Sequence, residues 1–290
     1  MSIQSIERVS AILSLFSLER PWLGVSEIAK AMGLPKTTVS SLVRTLREVG
    51  FLSQDSETRR YTLGQKLLNM GIIVEDTLEI NQKAQGPAKD LAEKTGLICR
   101  VAIWDEDAAL VTLDVVPREV EVLARRIGPR VAAYATSQGR AILAFLPPNE
   151  LQKYLIRIKF TAFTPFTITR KGELEKELAE TRRRGYAVNN QELVQGRASI
   201  AVPIFQRGGR VAAAISLVGS PERIFSQSLM ALVRNVQNVA TEISRLMGYT
   251  PESPQIERVK MIGHYAGEVV RDLGRSRHRN SKFHSKEERR

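Results

Sequence analysis

Two short apolar patterns that meet at a glycine constrain the fold of this 290-residue chain more than any other feature. In the first pattern Ile28, Ala29 and Met32 share one helical face, and Gly33 follows them. Glycine adopts the left-handed conformation that ends many helices at little cost. The second pattern has apolar residues at helical spacing, namely Val39, Leu42, Val43 and Leu46. Two short helices joined in this way are typical of a helix-turn-helix.

Neighbouring residues predict where these helices begin and end. A further amphipathic helix is expected before the pair, from Ser5 to about Ser17. Ser26 is expected to cap the next helix, because a serine hydroxyl can accept a hydrogen bond from a free amide of the first turn. Pro35 fits the start of the helix after Gly33, and Gly50 fits its end.

The outward face of the helix after Gly33 is polar and lacks the Glu/Lys pairs that an ordinary solvated helix more often carries. A plain helical hairpin would show the same apolar pattern, but this outer face favours contact with DNA. Its hydroxyl and basic side chains can reach base edges or phosphates. The expected DNA-contacting residues of this helix are Lys36, Thr37, Thr38, Ser40, Ser41, Arg44 and Arg47.

A β-hairpin is predicted directly after this helix. Residues 51–54 and 59–63 carry apolar side chains in strand-like patterns, and the polar residues 55–58 between them favour a turn. Basic residues at the tip of such a hairpin suit a wing that lies on phosphates or in a minor groove. The hairpin adds Arg59, Arg60 and Tyr61 to the expected DNA-contacting residues. Helices and hairpin together predict a winged helix-turn-helix.

These residues closely resemble the IclR family of bacterial transcriptional regulators. The resemblance rests on residues 25–39 (VSEIAKAMGLPKTTV), 50–52 (GFL) and 60–64 (RYTLG), and it continues to about Thr250. It implies a ligand-responsive regulator, either a repressor or an activator, that binds a palindromic operator in double-stranded DNA. It also implies that the rest of the chain forms a GAF-like effector-binding domain.

The segment after the hairpin predicts a connector. Its apolar residues favour one long helix from Gly64 to about Lys83, and Pro87 is expected to start another helix that ends at Gly96. Such a helix could pack on its own domain, whereas the family resemblance implies that it joins two copies of the chain. A homodimer, or a homotetramer, would place two DNA-binding domains on half-sites related by a two-fold axis.

Strands and helices alternate beyond Leu97 and predict an α+β domain with a largely antiparallel sheet. The expected strands are Ile98–Trp104, Ala108–Val115, Ser199–Phe205 and Val211–Val218, with a further apolar segment at Val120–Ile127. The expected helices run from Thr136 to Phe145, where Pro147 and Pro148 stop the first, from Gly172 to Arg184, and from about Ser226 to Met247.

The resemblance also implies one effector site in this domain. Its polar residues would be Ser137 and Gln138 at a strand-to-helix turn, with Asn189, Ser199 and Ser216 from three later segments. Val120 and Leu123 would form an apolar wall. Three residues depart from the family pattern, since Tyr134, Asn189 and Ser199 replace a usual histidine, aspartate and cysteine.

A missing acid and an excess of basic residues favour an anionic effector, a small organic acid whose carboxylate is held by an arginine. The net charge is +12, and most of it lies beyond residue 80. The candidate arginines are Arg118, Arg125, Arg126, Arg130, Arg140 and Arg197. Arg182–Arg184 look like a nucleic-acid patch, but no DNA contact is predicted for them, because the helix dipole favours basic residues in the last turn of a helix.

Histidine and cysteine are too scarce for most enzymatic chemistry. The histidines are His264, His278 and His284, and the single cysteine is Cys99. No triad, zinc cluster or cofactor is therefore expected, and Cys99 is expected to be a buried structural thiol. The absence of a signal peptide, of an apolar stretch long enough for a membrane and of a disulfide pair fits the cytoplasm.

The prediction is thus an α+β chain with four parts. An N-terminal winged helix-turn-helix spans residues 1–65, a helical connector 66–83, a GAF-like effector domain with an antiparallel sheet 84–250, and an extra helix with a basic disordered tail 251–290. The alternative function is a DNA-binding regulator whose large domain only oligomerises, without a small-molecule effector.

Overall fold

The computed structural model describes residues 3–118, 130–226 and 228–250. These residues divide into two compact units, the first ending at Gln82 and the second starting at Lys83. Within the described residues, no helix has the length and apolar character that crossing a membrane requires.

The first unit is a small helical domain with a two-stranded hairpin. Its elements are α1 (Gln4–Leu13), α2 (Val25–Met32), α3 (Lys36–Glu48), β1 (Leu52–Gln54), β2 (Tyr61–Leu63) and α4 (Gln65–Thr77). Gly33 has a φ of +62° at the end of α2, as the sequence predicts. Its core contains Ile12, Leu23, Ile28, Val39, Val43, Leu46, Leu52 and Tyr61.

Two expected helix ends differ from the structure. Gly24, not Ser26, is the N-cap of α2, because the Glu27 carboxylate reaches back and accepts the Gly24 amide at 2.7 Å. The first helix ends at Leu13, four residues before Ser17. The Ser14 hydroxyl donates to the Ser10 carbonyl at 2.9 Å and so satisfies a backbone acceptor in its last turn.

The predicted helix from Gly64 to Lys83 is two helices, and the predicted start at Pro87 is wrong. The chain is extended at Leu78, and α5 (Glu79–Thr95) contains Pro87 in its interior. The break is stabilised by the side chains of Asn81 and Gln82, which donate to the carbonyls of Glu75 and Asp76 at 3.0 and 2.8 Å. These amides therefore satisfy acceptors that the end of α4 leaves free.

The second unit is built on a six-stranded antiparallel sheet, which confirms the predicted α+β class. Its strand order is β5-β4-β3-β8-β7-β6. The strands are β3 (Ile98–Asp105), β4 (Ala108–Val115), β5 (Arg130–Ala132), β6 (Ala187–Asn190), β7 (Ala198–Phe205) and β8 (Val211–Gly219). The short edge strands β5 and β6 have no strand prediction, because three or four residues give too little alternation to detect.

The helices of this unit are α6 (Ser137–Leu143), α7 (Pro148–Arg157), α8 (Lys171–Arg184), α9 (Pro221–Ile224) and α10 (Leu229–Leu246). The prolines expected only to stop a helix also start the next one, since Pro148 is the first residue of α7. The predicted Ser226–Met247 helix begins only at Leu229. Small residues of the sheet, including Ala187, Ala201 and Ala214, let α6 pack closely on β7, β8 and β3.

Candidate DNA-binding surface and effector site

The outer face of α3 carries the predicted polar residues. Val39, Val43 and Leu46 hold the opposite face in the core. Arg44 lies 4.0 Å from Glu48, but both side chains are well exposed, so this ion pair contributes little and leaves Arg44 accessible. The exposed residues are Lys36, Thr37, Ser40, Ser41, Arg44 and Arg47, whereas Thr38 is half-buried.

The hairpin is tied to the end of α3. Arg47 donates to the side-chain oxygen of Gln54 at 3.0 Å, and the Gln54 amide donates to the carbonyl of Arg59, also at 3.0 Å. Arg59 has a φ of +58° and an exposed side chain. At the turn, the Asp55 carboxylate accepts the Thr58 hydroxyl and amide, both at 2.7 Å, and these bonds lower the pKa of Asp55. Arg59 is thus held at the tip in a fixed frame.

Arg60 and Tyr61 lie elsewhere than the sequence predicts. The Arg60 guanidinium donates to the Trp22 carbonyl at 2.8 Å and pairs with Glu27 at 2.9 Å. The hydrogen bond from the Gly24 amide lowers the pKa of the Glu27 carboxyl, and the charge of Arg60 lowers it further. Tyr61 is only 6% exposed and pairs with Leu23, which turns its ring into the core. Both residues therefore hold the hairpin against the helices.

The predicted effector residues of the second unit converge at the start of α6. The Ser137 and Ser199 hydroxyls lie 2.7 Å apart, and the Gln138 side-chain oxygen lies 3.4 Å from Ser137. Asn189 is the cross-strand partner of Ser199, and its amide donates to the Ala135 carbonyl at 2.5 Å. All four side chains are buried. The structure therefore brings these four predicted residues into one polar cluster.

The turn before α6 depends on a close backbone approach. Thr136 caps the helix as predicted, because its hydroxyl accepts the Gly139 amide at 3.1 Å. A Cβ at Gly139 would overlap the backbone of Ala133. Glycine at this position is therefore required for the approach of α6 to the preceding turn.

Among the candidate arginines that the structure describes, Arg140 is the most buried, at 1% exposed, but its hydrogen-bonding groups are already paired within the protein. It donates to the carbonyls of Tyr134 and Val188 at 2.8 and 2.9 Å, and it forms a buried ion pair with Glu192. Burial lowers the pKa of Arg140 to about 10, so the guanidinium stays charged at neutral pH. Arg140 therefore holds the site together and is not free for an effector.

The other candidate arginines are less suited to a buried site. Arg130 pairs with Asp105 and Asp107, and Arg118 is exposed. Arg197 is half-buried beside the start of β7. Some predicted residues lie outside the part of the chain that the structure describes. They are the wall residues Val120 and Leu123, the candidate arginines Arg125 and Arg126, and the tail at 251–290.

Sequence reasoning missed Arg100, which β3 places beside the predicted Ser216. The Ser216 hydroxyl is fully buried and lies 3.4 Å from the Arg100 carbonyl, its cross-strand partner. The Arg100 guanidinium forms two hydrogen bonds with Asp114, both at 3.1 Å. The alternation of β3 and its pairing with β8 are the signal that could have placed Arg100 on the same sheet face as Ser216.

The described residues contain no group of three or more His, Cys, Asp or Glu side chains that could hold a metal ion. Cys99 is buried, and burial raises the pKa of its thiol to about 12. A thiol in that state is a poor nucleophile at neutral pH.

Comparison with known families explains this arrangement. The sequence profile described as the IclR helix-turn-helix domain matches residues 5–56, and the one described as bacterial transcriptional regulator IclR C-terminal matches residues 73–245. The chain belongs to the IclR family. Among IclR-family relatives, the HTH-type transcriptional regulator XynR of Escherichia coli (strain K12) is 34% identical over 85% of this chain and 98% of its own length.

Solved IclR structures share the fold. The crystal structure of the Thermotoga maritima IclR is 30% identical, with a TM-score of 0.63 over 86% of this chain and 100% of that one. An IclR homologue from Microbacterium hydrocarbonoxydans, crystallised with 4-hydroxybenzoate, is 23% identical with a TM-score of 0.69 over 85% of this chain and 100% of that one. At that lower identity the match shows the fold alone.

Proposed function

We propose that this IclR-family protein regulates transcription by binding operator DNA through α3 and the tip of the hairpin, and that it does so without catalysis of its own. The observation that carries the proposal is the exposed face of α3, whose hydroxyl and basic groups stand on a helix fixed by a buried opposite face. Such a helix fits the major groove of a palindromic operator. The proposed contacts are Lys36, Thr37, Thr38, Ser40, Ser41, Arg44, Arg47 and Arg59.

Replacing Arg44 by alanine tests the α3 contact. We expect Arg44→Ala to weaken binding by about 1–3 kcal/mol if the side chain meets a base, or to reduce the salt slope by about one if it meets a phosphate. Arg59→Ala should reduce the salt slope. The measurement is fluorescence anisotropy at several salt concentrations, on an operator that the purified protein selects from a random duplex library.

Arg245→Ala is the matched control, since it removes an exposed arginine from α10 in the other unit. It should leave affinity and salt slope close to those of the parent. Unchanged affinity and unchanged slope for both Arg44→Ala and Arg59→Ala would refute the proposed surface.

The second part of the proposal is a homodimer formed through α4. None of its residues is buried, although Leu68 and Ile73 are large, apolar and more than 60% exposed. Apolar surface of this extent on one helix is typical of an interface. A two-fold dimer would pair two DNA-binding domains with two half-sites, and a tetramer could form from two such dimers. In sedimentation experiments Leu68→Glu/Ile73→Glu should shift the protein towards monomer, whereas a retained dimer would exclude α4 as the interface.

The third part is that the polar cluster at α6 binds a small organic acid, which biases the arrangement of the paired DNA-binding domains. The support is the convergence of Ser137, Ser199 and Asn189, together with the fold shared with the homologue crystallised with 4-hydroxybenzoate. An effector can shift such an equilibrium only by its differential affinity for the two arrangements.

A thermal-shift screen of small carboxylic acids tests this third part. An acid at 100 times its dissociation constant should stabilise the protein by about 2.7 kcal/mol and raise its melting temperature. If neither acids nor neutral analogues shift the melting temperature, the large domain would be an oligomerisation domain only.

A further inference from the structure

We infer that Arg100 anchors the carboxylate of the effector, and that the effector lies along the sheet between Arg100 and Ser199. This inference rests on the proposed effector function and names the group that would recognise the acid. Arg100 is on β3, two strands away from Ser199 on β7, and β8 lies between them.

The strand register places Arg100 on the effector face of the sheet. Residues that pair directly across antiparallel strands point to the same face. Arg100 pairs with Ser216, and Ser216 pairs with Ala201, which packs in the core cluster beneath α6. Ser199 lies two residues before Ala201 on β7 and so shares that face. Arg100, Ser216 and Ser199 therefore lie on the same face of the sheet, the face on which α6 packs.

The spacing of these residues defines the size of the ligand. Adjacent strands lie about 4.8 Å apart, so the backbones of β7 and β3 are about 10 Å apart. Val218, the half-buried cross-strand partner of Ser199, supplies an apolar surface between the two polar ends. The arrangement suits a compact acid with a carboxylate at one end, an apolar middle, and a hydroxyl or carbonyl at the other.

The Arg100 guanidinium has further N–H groups that could donate to such an acid. Its side chain is 15% exposed, and its Nε and Nη2 groups donate to the two Asp114 oxygens. That side-on pairing uses two of the five N–H groups of a guanidinium, and the remaining ones can bind a second carboxylate. Asp114 holds the guanidinium in place, but because it is 44% exposed and negative it also competes with the effector.

The experiment uses the full chain and calorimetric titration. The probes are benzoate, 4-hydroxybenzoate and short aliphatic hydroxy acids, each tested beside its own carboxamide. We expect at least one acid to bind while its amide does not. Arg100→Met should weaken the binding of that acid about 10- to 100-fold, as expected for the loss of a charge-assisted hydrogen-bonded pair. Asp114→Asn should tighten binding a few-fold, because Arg100 keeps its charge and loses its competitor.

The opposite signs of these two variants separate an anchor from a structural ion pair, because breaking a structural pair from either side would change binding in the same direction. Arg130→Met is the matched control, since it breaks an ion pair at β5 in the same sheet and should leave binding unchanged. Circular dichroism of each variant checks that the domain is folded.

Three results would overturn the inference. Arg100→Met could bind the acid as well as the parent does, Arg197→Met alone could abolish binding, or acids and amides could bind equally well. If no acid and no amide binds the parent protein, the proposed effector function itself fails, and this outcome differs from a panel that binds without any need for Arg100.

Discussion

Glu192→Ala should lower the free energy of unfolding of the second unit by about 3–5 kcal/mol, because it leaves the Arg140 charge buried without its counter-ion. The two side chains are only 2% and 11% exposed, so the guanidinium left behind would be poorly solvated. The carbonyls of Tyr134 and Val188 would still accept hydrogen bonds from Arg140, but they carry no net charge. The ion pair is therefore expected to be among the most sensitive contacts in the domain.

Urea unfolding can be followed specifically in this unit. The chain has two tryptophans. In a Trp22→Phe background the remaining one is Trp104, which packs against the α6 cluster and lies 5.4 Å from the ring of Tyr154. Its fluorescence should therefore report loss of packing around Arg140. The matched control is Glu175→Ala, whose partner Lys171 lies 4.0 Å away with both side chains 46% exposed. This change should alter stability by no more than about 0.5 kcal/mol.

A double substitution separates the buried charge from the lost contact. Arg140→Met/Glu192→Ala removes both charges, so it should be less destabilised than Glu192→Ala alone. If the free energy of unfolding of Glu192→Ala lies within about 1 kcal/mol of the parent's, the ion pair does not hold the start of α6, and the role given to Arg140 is wrong.

Arg140 shows what the sequence can and cannot predict at this site. The chain around Ser137–Arg140 predicts a turn and a helix, and the structure has both. The sequence also makes Arg140 a candidate to bind an anionic effector, because it shows a basic residue at this position but does not show which residue pairs with it. Glu192 is 52 positions away, in the loop between β6 and β7. It reaches Arg140 only when these two strands pair and place that loop beside α6. Pairing over such a distance depends on tertiary structure, which local pattern does not encode.

The DNA-binding unit illustrates the same division. Apolar spacing and Gly33 predict α2 and α3 because the information is local to each helix. The residues where the second strand of the hairpin begins are predicted less well. Whether Arg60 and Tyr61 face DNA or the core depends on the bridge between Leu23 and Tyr61, which joins residues far apart in the chain. Arg59, one residue earlier, stays exposed because the turn ends there.

Gly139→Ala is expected to destabilise the same unit by at least about 2 kcal/mol, because the added methyl group would overlap the Ala133 backbone. A flexible side chain could move away, but a backbone carbonyl inside a buried turn cannot do so without shifting the turn. Relief would require α6 to move outwards. That movement would lengthen the Ser137–Ser199 contact and the bond from Gly139 to Thr136, so effector binding should weaken together with stability.

Gly172→Ala is the matched control, since an added Cβ at that position in α8 meets no atom within 4 Å. Alanine is the better helix former, so this variant should be as stable as the parent or slightly more stable. Urea unfolding through Trp104 and calorimetric titration with the bound acid measure both effects on both variants. If Gly139→Ala kept full stability and full affinity, the turn would tolerate a wider approach of α6, and glycine at this position would not be what sets the geometry of the site.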